Sequence, residues 1–92
     1  MTEAEFKAAD PDQFQGAVLA LWWDVQGNWE RAHEVAQDGE DANSAWVHAY
    51  LHRKEGDEGN AAYWYRRAGR RMATGNLETE RLLILETVLA GQ

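Results

Sequence analysis

His48 and His52 stand four residues apart. In a helix they share a face, and two imidazoles at that spacing can hold a metal ion. No acid is expected on that face at a neighbouring turn, and His33 is the only other histidine. The pair is therefore expected to pack as structural histidines. His48 and His52 are the weak candidates for a metal site that is not otherwise expected, and no cofactor is expected. A histidine buried in neutral form here makes the fold sensitive to pH below about 6.5. The second chemical feature is cationic. Arg66, Arg67, Arg70 and Arg71 follow Arg53 and Lys54 at the end of the preceding helical segment. In one helix Arg66 would share a face with Arg70 and Arg67 with Arg71, which suits contact with a carboxylate or another anion. The third feature is the stripe Trp46, Tyr50, Arg53, recurring at i, i+4, i+7.

The rest of the inventory argues against catalysis. The chain has no Cys, so it has no thiolate nucleophile, disulfide or Cys-based metal site. It has no Gly-x-Ser-x-Gly elbow and no Gly-rich phosphate loop after a strand. The run Gly56–Asn60 is only superficially like a calcium loop, because alternating oxygen ligands ending in Glu at the twelfth position are missing. A non-enzymatic protein is expected. Net charge is −7, which is poorly suited to phosphate-backbone binding, so nucleic acid is not an expected partner. The charge is uneven. Residues 1–45 carry ten acids and two bases, and residues 46–92 carry six acids and seven bases. The longest apolar run, Leu82-Leu83-Ile84-Leu85, is far shorter than a bilayer span. The acidic start lacks the basic and apolar regions of a signal peptide, so no membrane contact and a cytoplasmic location are expected.

These residues need helices to position them. With 92 residues and 10.5 kDa, the chain fits a single domain over 1–92. Mass scaling gives a folded surface of roughly 5,400 Å² and a thin core. Five Trp are an answer to that thinness. Thr2 is placed to cap a short helix through Ala9. Asp10-Pro11 opens a helix to Val25, with Phe14, Ala17, Val18, Leu21, Trp22 and Val25 on one face. Gly27 ends it and Asn28 caps the next helix, to about Gln37. Asn43 or Ser44 then caps a helix to about Lys54. A further helix is expected over 61–73, and a last one over 77–89 with Leu82, Leu85, Val88 and Leu89 facing inward. No segment alternates with period two, so no strand is expected.

The segments repeat at an offset of 29. Gly27 falls on Gly56, Asn28 on Asp57, Ala20 on Ala49 and Ala32 on Ala61. With Ala49, Gly56-Asp57, Ala61, Tyr65 and Ala68, and the run Ala61-Ala62-Tyr63-Trp64-Tyr65-Arg66-Arg67-Ala68, the chain resembles tetratricopeptide (TPR) and Sel1-like helical repeats over about residues 14–70. The resemblance implies an all-α fold of antiparallel hairpins in a right-handed superhelix of about five helices. Its units would run over about 12–39 and 43–73, with a capping helix over about 77–90. It also implies a ligand groove lined by the first helix of each unit. Carried onto this chain, that groove holds Phe14, Leu21 and Asp24, then Asn43, Trp46, Tyr50, Arg53 and Lys54. The implied function is a non-catalytic protein- or peptide-binding module, with Trp46, Tyr50 and Arg53 taking a partner that carries an acidic or C-terminal carboxylate group. The alternatives are a homodimeric structural protein with a Trp-rich interface, and a small-molecule or metal-binding helical protein using His48 and His52.

Overall fold

The computed structural model describes residues 1–91. Among them lie six α-helices, one 3-10 turn and no strand. The helices are α1 (Glu3–Ala8), α2 (Gly16–Val25), α3 (Trp29–Asp38), α4 (Ala42–Glu55), α5 (Glu58–Arg67) and α6 (Leu77–Ala90); the 3-10 turn covers Pro11–Gln13. Helices α2 and α3, and α4 and α5, pack as two helical hairpins. Their turns are built alike. The Gly27 N–H donates to the Asp24 carbonyl (2.9 Å) and the Asn28 N–H to the Trp23 carbonyl (3.0 Å). The Gly56 N–H donates to the Arg53 carbonyl (3.1 Å) and the Asp57 N–H to the His52 carbonyl (2.9 Å). Both are Schellman endings, which satisfy the last helical carbonyls. Asn28 then caps α3 by accepting from the Arg31 N–H, and Asp57 caps α5 by accepting from the Asn60 N–H. The four repeat alanines, Ala20, Ala32, Ala49 and Ala61, are each fully buried, as small residues must be where paired helices approach closely.

Helix α4 is the centre. Its residues Ser44 to His52 are buried without interruption, because α2, α3, α5 and α6 all pack on it. Four expectations about boundaries and faces are corrected. The segment from Pro11 to Val25 is not one helix. Phe14 is extended and turns in to meet the buried ring of Phe6 (centroids 5.1 Å), and α2 starts only at Gly16. The cap of α4 is Asp41, whose carboxylate accepts from the Ser44 N–H and hydroxyl (3.2 and 2.6 Å), rather than Asn43 or Ser44. Helix α5 stops at Arg67 instead of running to 73, and residues 70–76 are a non-helical crossover. Helix α6 turns Glu80, Ile84, Leu85 and Val88 inward, and Leu82 and Leu83 are exposed.

Candidate functional site

The expected groove face is occupied by the chain itself. Helix α6 packs against α2 and α4, the first helices of the two hairpins. Phe14, Leu21, Asp24, Trp46 and Tyr50 are all buried, Trp46 at 2% and Tyr50 at 0% exposure. That burial overturns their reading as an open groove. Asn43 is half-buried beside a shallow cleft near the start of α2. The physical reason is Glu80, which α6 delivers to the centre of the stripe. Its carboxylate accepts from Trp46 Nε1 (3.2 Å), from the Tyr65 hydroxyl (2.5 Å) and from Arg53 Nη1 (3.0 Å). Arg53 also donates to the Gly75 carbonyl. So Trp46 and Arg53 do hold a carboxylate, as their chemistry suggests, but it belongs to the same chain. Lys54 likewise turns inward to the buried Asp24 (2.8 Å). Burial, together with donation to Glu80, raises the Tyr65 phenol above its usual range. Burial and the nearby Asp24 carboxylate do the same to Tyr50.

The arginines do not form a stripe. Gly69 has φ +72 and ends α5, so Arg70 and Arg71 leave the helix that carries Arg66 and Arg67. The four remain exposed. Arg67 lies over the Tyr63 and Trp64 rings and donates to the Tyr63 hydroxyl (3.1 Å). Arg70 lies over the Trp46 ring, 3.4 Å from its centroid, in cation–π contact. Beside it opens a cleft of about 520 Å³, floored by Trp46 and Glu80 and walled by Arg70, Arg71, Met72 and Leu83. Arg70, Arg71, Met72 and Leu83 are exposed there. Among the described residues Arg70 and Arg71 have no acidic partner. Backbone groups of residues 71–74 form no backbone–backbone hydrogen bond.

A second constellation lies where the hairpins meet. His48 and His52 of α4 are buried. Helix α3 brings His33 onto them, a contact that spacing alone could not show. The ring centroids stand 4.7 Å apart for His33–His48, 5.0 Å for His33–His52 and 4.8 Å for His48–His52. Trp29 stacks on His33 at 4.9 Å and Trp64 on His48 at 3.9 Å. His33 Nε2 and His48 Nε2 share a hydrogen bond of 3.0 Å. His52 Nδ1 meets Glu55 Oε1 at 2.7 Å, so, against expectation, an acid does share this face, three residues on at the next turn. Burial, then the neighbouring His33 and His52, lowers the His48 imidazole to about 4. Burial also lowers His33. Both rings are thus neutral at pH 7. As pH falls from 6.5 toward 4, the unfolded chain takes up a proton at His48 that the folded chain does not, and stability declines. The one advance signal for His33 was its place four residues after Trp29, on the same face of α3.

Compared with known proteins, the chain matches no protein-family model, no curated protein and no solved structure. The functional reading therefore rests on the geometry of these two places.

Proposed function

We propose that the protein is a non-catalytic peptide-binding module that takes an acidic, partly apolar segment of a partner at the cleft beside Trp46. One observation carries this reading: Arg70 and Arg71 stand without acidic partners at the rim of an open cleft, in a chain whose net charge is −7. Each element of the cleft meets one element of such a segment. The guanidinium groups offer planar, bidentate donors to carboxylates. Met72 and Leu83 offer an adaptable apolar wall. The non-helical backbone of residues 71–74 forms no backbone–backbone hydrogen bond and can run beside an extended chain. The inner carboxylate position is already filled by Glu80, so the partner's acids are met at the rim. The test is fluorescence anisotropy with labelled peptides that mix Glu or Asp with Leu or Phe. An Arg70→Glu/Arg71→Glu double variant should bind at least about tenfold more weakly, a loss of about 1.4 kcal/mol. Binding should also weaken with added salt, because these charges are exposed. Equal affinity of the wild type and the double variant would overturn the reading. The exposed Leu82 and Leu83 favour a second reading, a homodimer through α6. A concentration-independent monomer mass by light scattering removes it.

A further inference from the structure

Three imidazoles from two helices meet at the junction of the hairpins, and their arrangement is not that of ordinary core packing. We propose that His33, His48 and His52 form a binding site for one divalent transition-metal ion of the zinc class. One ligand nitrogen from each ring lies within 4.8 Å of the others. Two nitrogens on a tetrahedral zinc, at bond lengths near 2.05 Å, stand roughly 3.3 Å apart. The Nε2 atoms of His33 and His48 are already 3.0 Å apart, sharing one proton. An ion entering between them takes a lone pair from each Nε2, and the ring that held the shared proton carries it on Nδ1 instead, so both ligands stay neutral imidazoles. His52 closes the set. Its Nδ1 faces Glu55 Oε1 at 2.7 Å, which fixes the proton on Nδ1 and leaves Nε2 as the lone-pair nitrogen. A carboxylate hydrogen-bonded behind a ligating histidine is the usual support of such sites, since it fixes the ring's tautomer and orientation.

The surroundings favour a ligand site over simple packing. Trp29 stacked on His33 and Trp64 stacked on His48 limit how far those two rings can turn, so the donor set is held in place before the ion arrives. Three imidazoles with no carboxylate in the set suit zinc, copper or nickel, and not magnesium or calcium. Three protein ligands leave a fourth position for water. His33 is half-buried and gives the route from solvent. A competing group, His52 with Glu55 and Asp57, also gathers ligand atoms within 4.8 Å. There, however, the Asp57 carboxylate is engaged with Asn60 at the start of α5.

The experiment uses the full chain stripped of metal with EDTA and titrated with Zn²⁺ by calorimetry and with Co²⁺ by visible absorption. The expected results are one ion per chain, the intense visible bands of tetrahedral cobalt, and a change in tryptophan fluorescence. His33→Gln and His52→Gln should each weaken binding at least tenfold. Glu55→Gln should weaken it about 10- to 100-fold, the usual effect of losing the carboxylate that orients a ligating histidine. Asp57→Asn keeps a capping side chain and should bind as the wild type does. Three outcomes overturn the site: no binding of either ion at one per chain, binding unchanged in His33→Gln, or binding lost in Asp57→Asn but kept in His33→Gln. His33 is half-buried, so its variant is expected to fold. Should circular dichroism show that His52→Gln does not fold, His33→Gln decides the matter alone.

Discussion

At the scale of single residues, Glu80 is the side chain on which most depends. It is 5% exposed and accepts from Trp46, Tyr65 and Arg53. Three donors converging on one carboxylate satisfy it, but they also rely on it. Glu80→Ala strands a buried indole N–H, a phenol and a guanidinium. Removing one partner of a buried, hydrogen-bonded charge pair costs about 3–5 kcal/mol. A loss of about 3 kcal/mol is expected in urea denaturation, because Arg53 keeps its bond to the Gly75 carbonyl. A change below about 0.5 kcal/mol, the scale of an ordinary surface substitution, would show that the cluster is not formed. Arg53→Glu follows the same logic. From the sequence it reads as a surface change that spares the fold. In the structure it sets two carboxylates against each other in a buried place, so it is strongly destabilising and unsuitable as a probe of ligand binding.

At the scale of elements, the two hairpins were largely legible in the sequence, because what defines them is local. Gly27-Asn28 and Gly56-Asp57 carry their own turn and cap within a few residues, and the repeat alanines sit on fixed faces. What could not be read was long-range. Glu80 lies 34 residues from Trp46 and 27 from Arg53, and His33 lies 15 from His48. No periodicity connects such pairs. The end of α5 was misplaced for another reason. The spacing of Arg66, Arg70 and Arg71 imitates a helical face, but the Gly69 N–H bonds back to the Arg66 carbonyl and the Arg70 N–H to the Tyr65 carbonyl, 3.0 Å each. That is a Schellman ending, and Gly69 takes the left-handed conformation it needs. Any side chain at 69 meets no neighbour, so the penalty is purely one of backbone conformation. Gly69→Ala is therefore expected to cost about 1–2 kcal/mol, read as a lower thermal midpoint. A stabilising effect would mean that α5 continues through 69, as its helical propensity alone suggests.

At the scale of the whole molecule, α6 closes the fold over the two hairpins. The chain's accessible surface of 5377 Å² matches the roughly 5,400 Å² expected of a compactly folded chain of this mass. Helix α6 covers the face of α2 and α4, and the Arg81 fork on Glu3 (3.0 and 3.1 Å) ties α6 back to α1. This closure places two phenols, Tyr50 and Tyr65, at 0% and 1% exposure, each near a buried carboxylate. Both titrate above the usual phenol range when folded. An unfolded phenol ionises near 10. Above that pH the unfolded chain releases protons that the folded chain retains. Stability is thus unaffected by these groups below about 10 and falls as pH rises beyond it, by up to about 1.4 kcal/mol per pH unit for each phenol. Urea midpoints measured from about pH 8 to 11 should drop accordingly. In a Tyr63→Phe background, which removes the one exposed phenol, phenolate absorbance should rise only as the chain unfolds. Tyr65→Phe separates this effect from the loss of Lys charge. It should be less stable at neutral pH, having lost the bond to Glu80, yet decline less steeply in alkali. An equally steep decline in that variant would show that Tyr65 titrates freely, and that α6 does not seal the centre of the molecule.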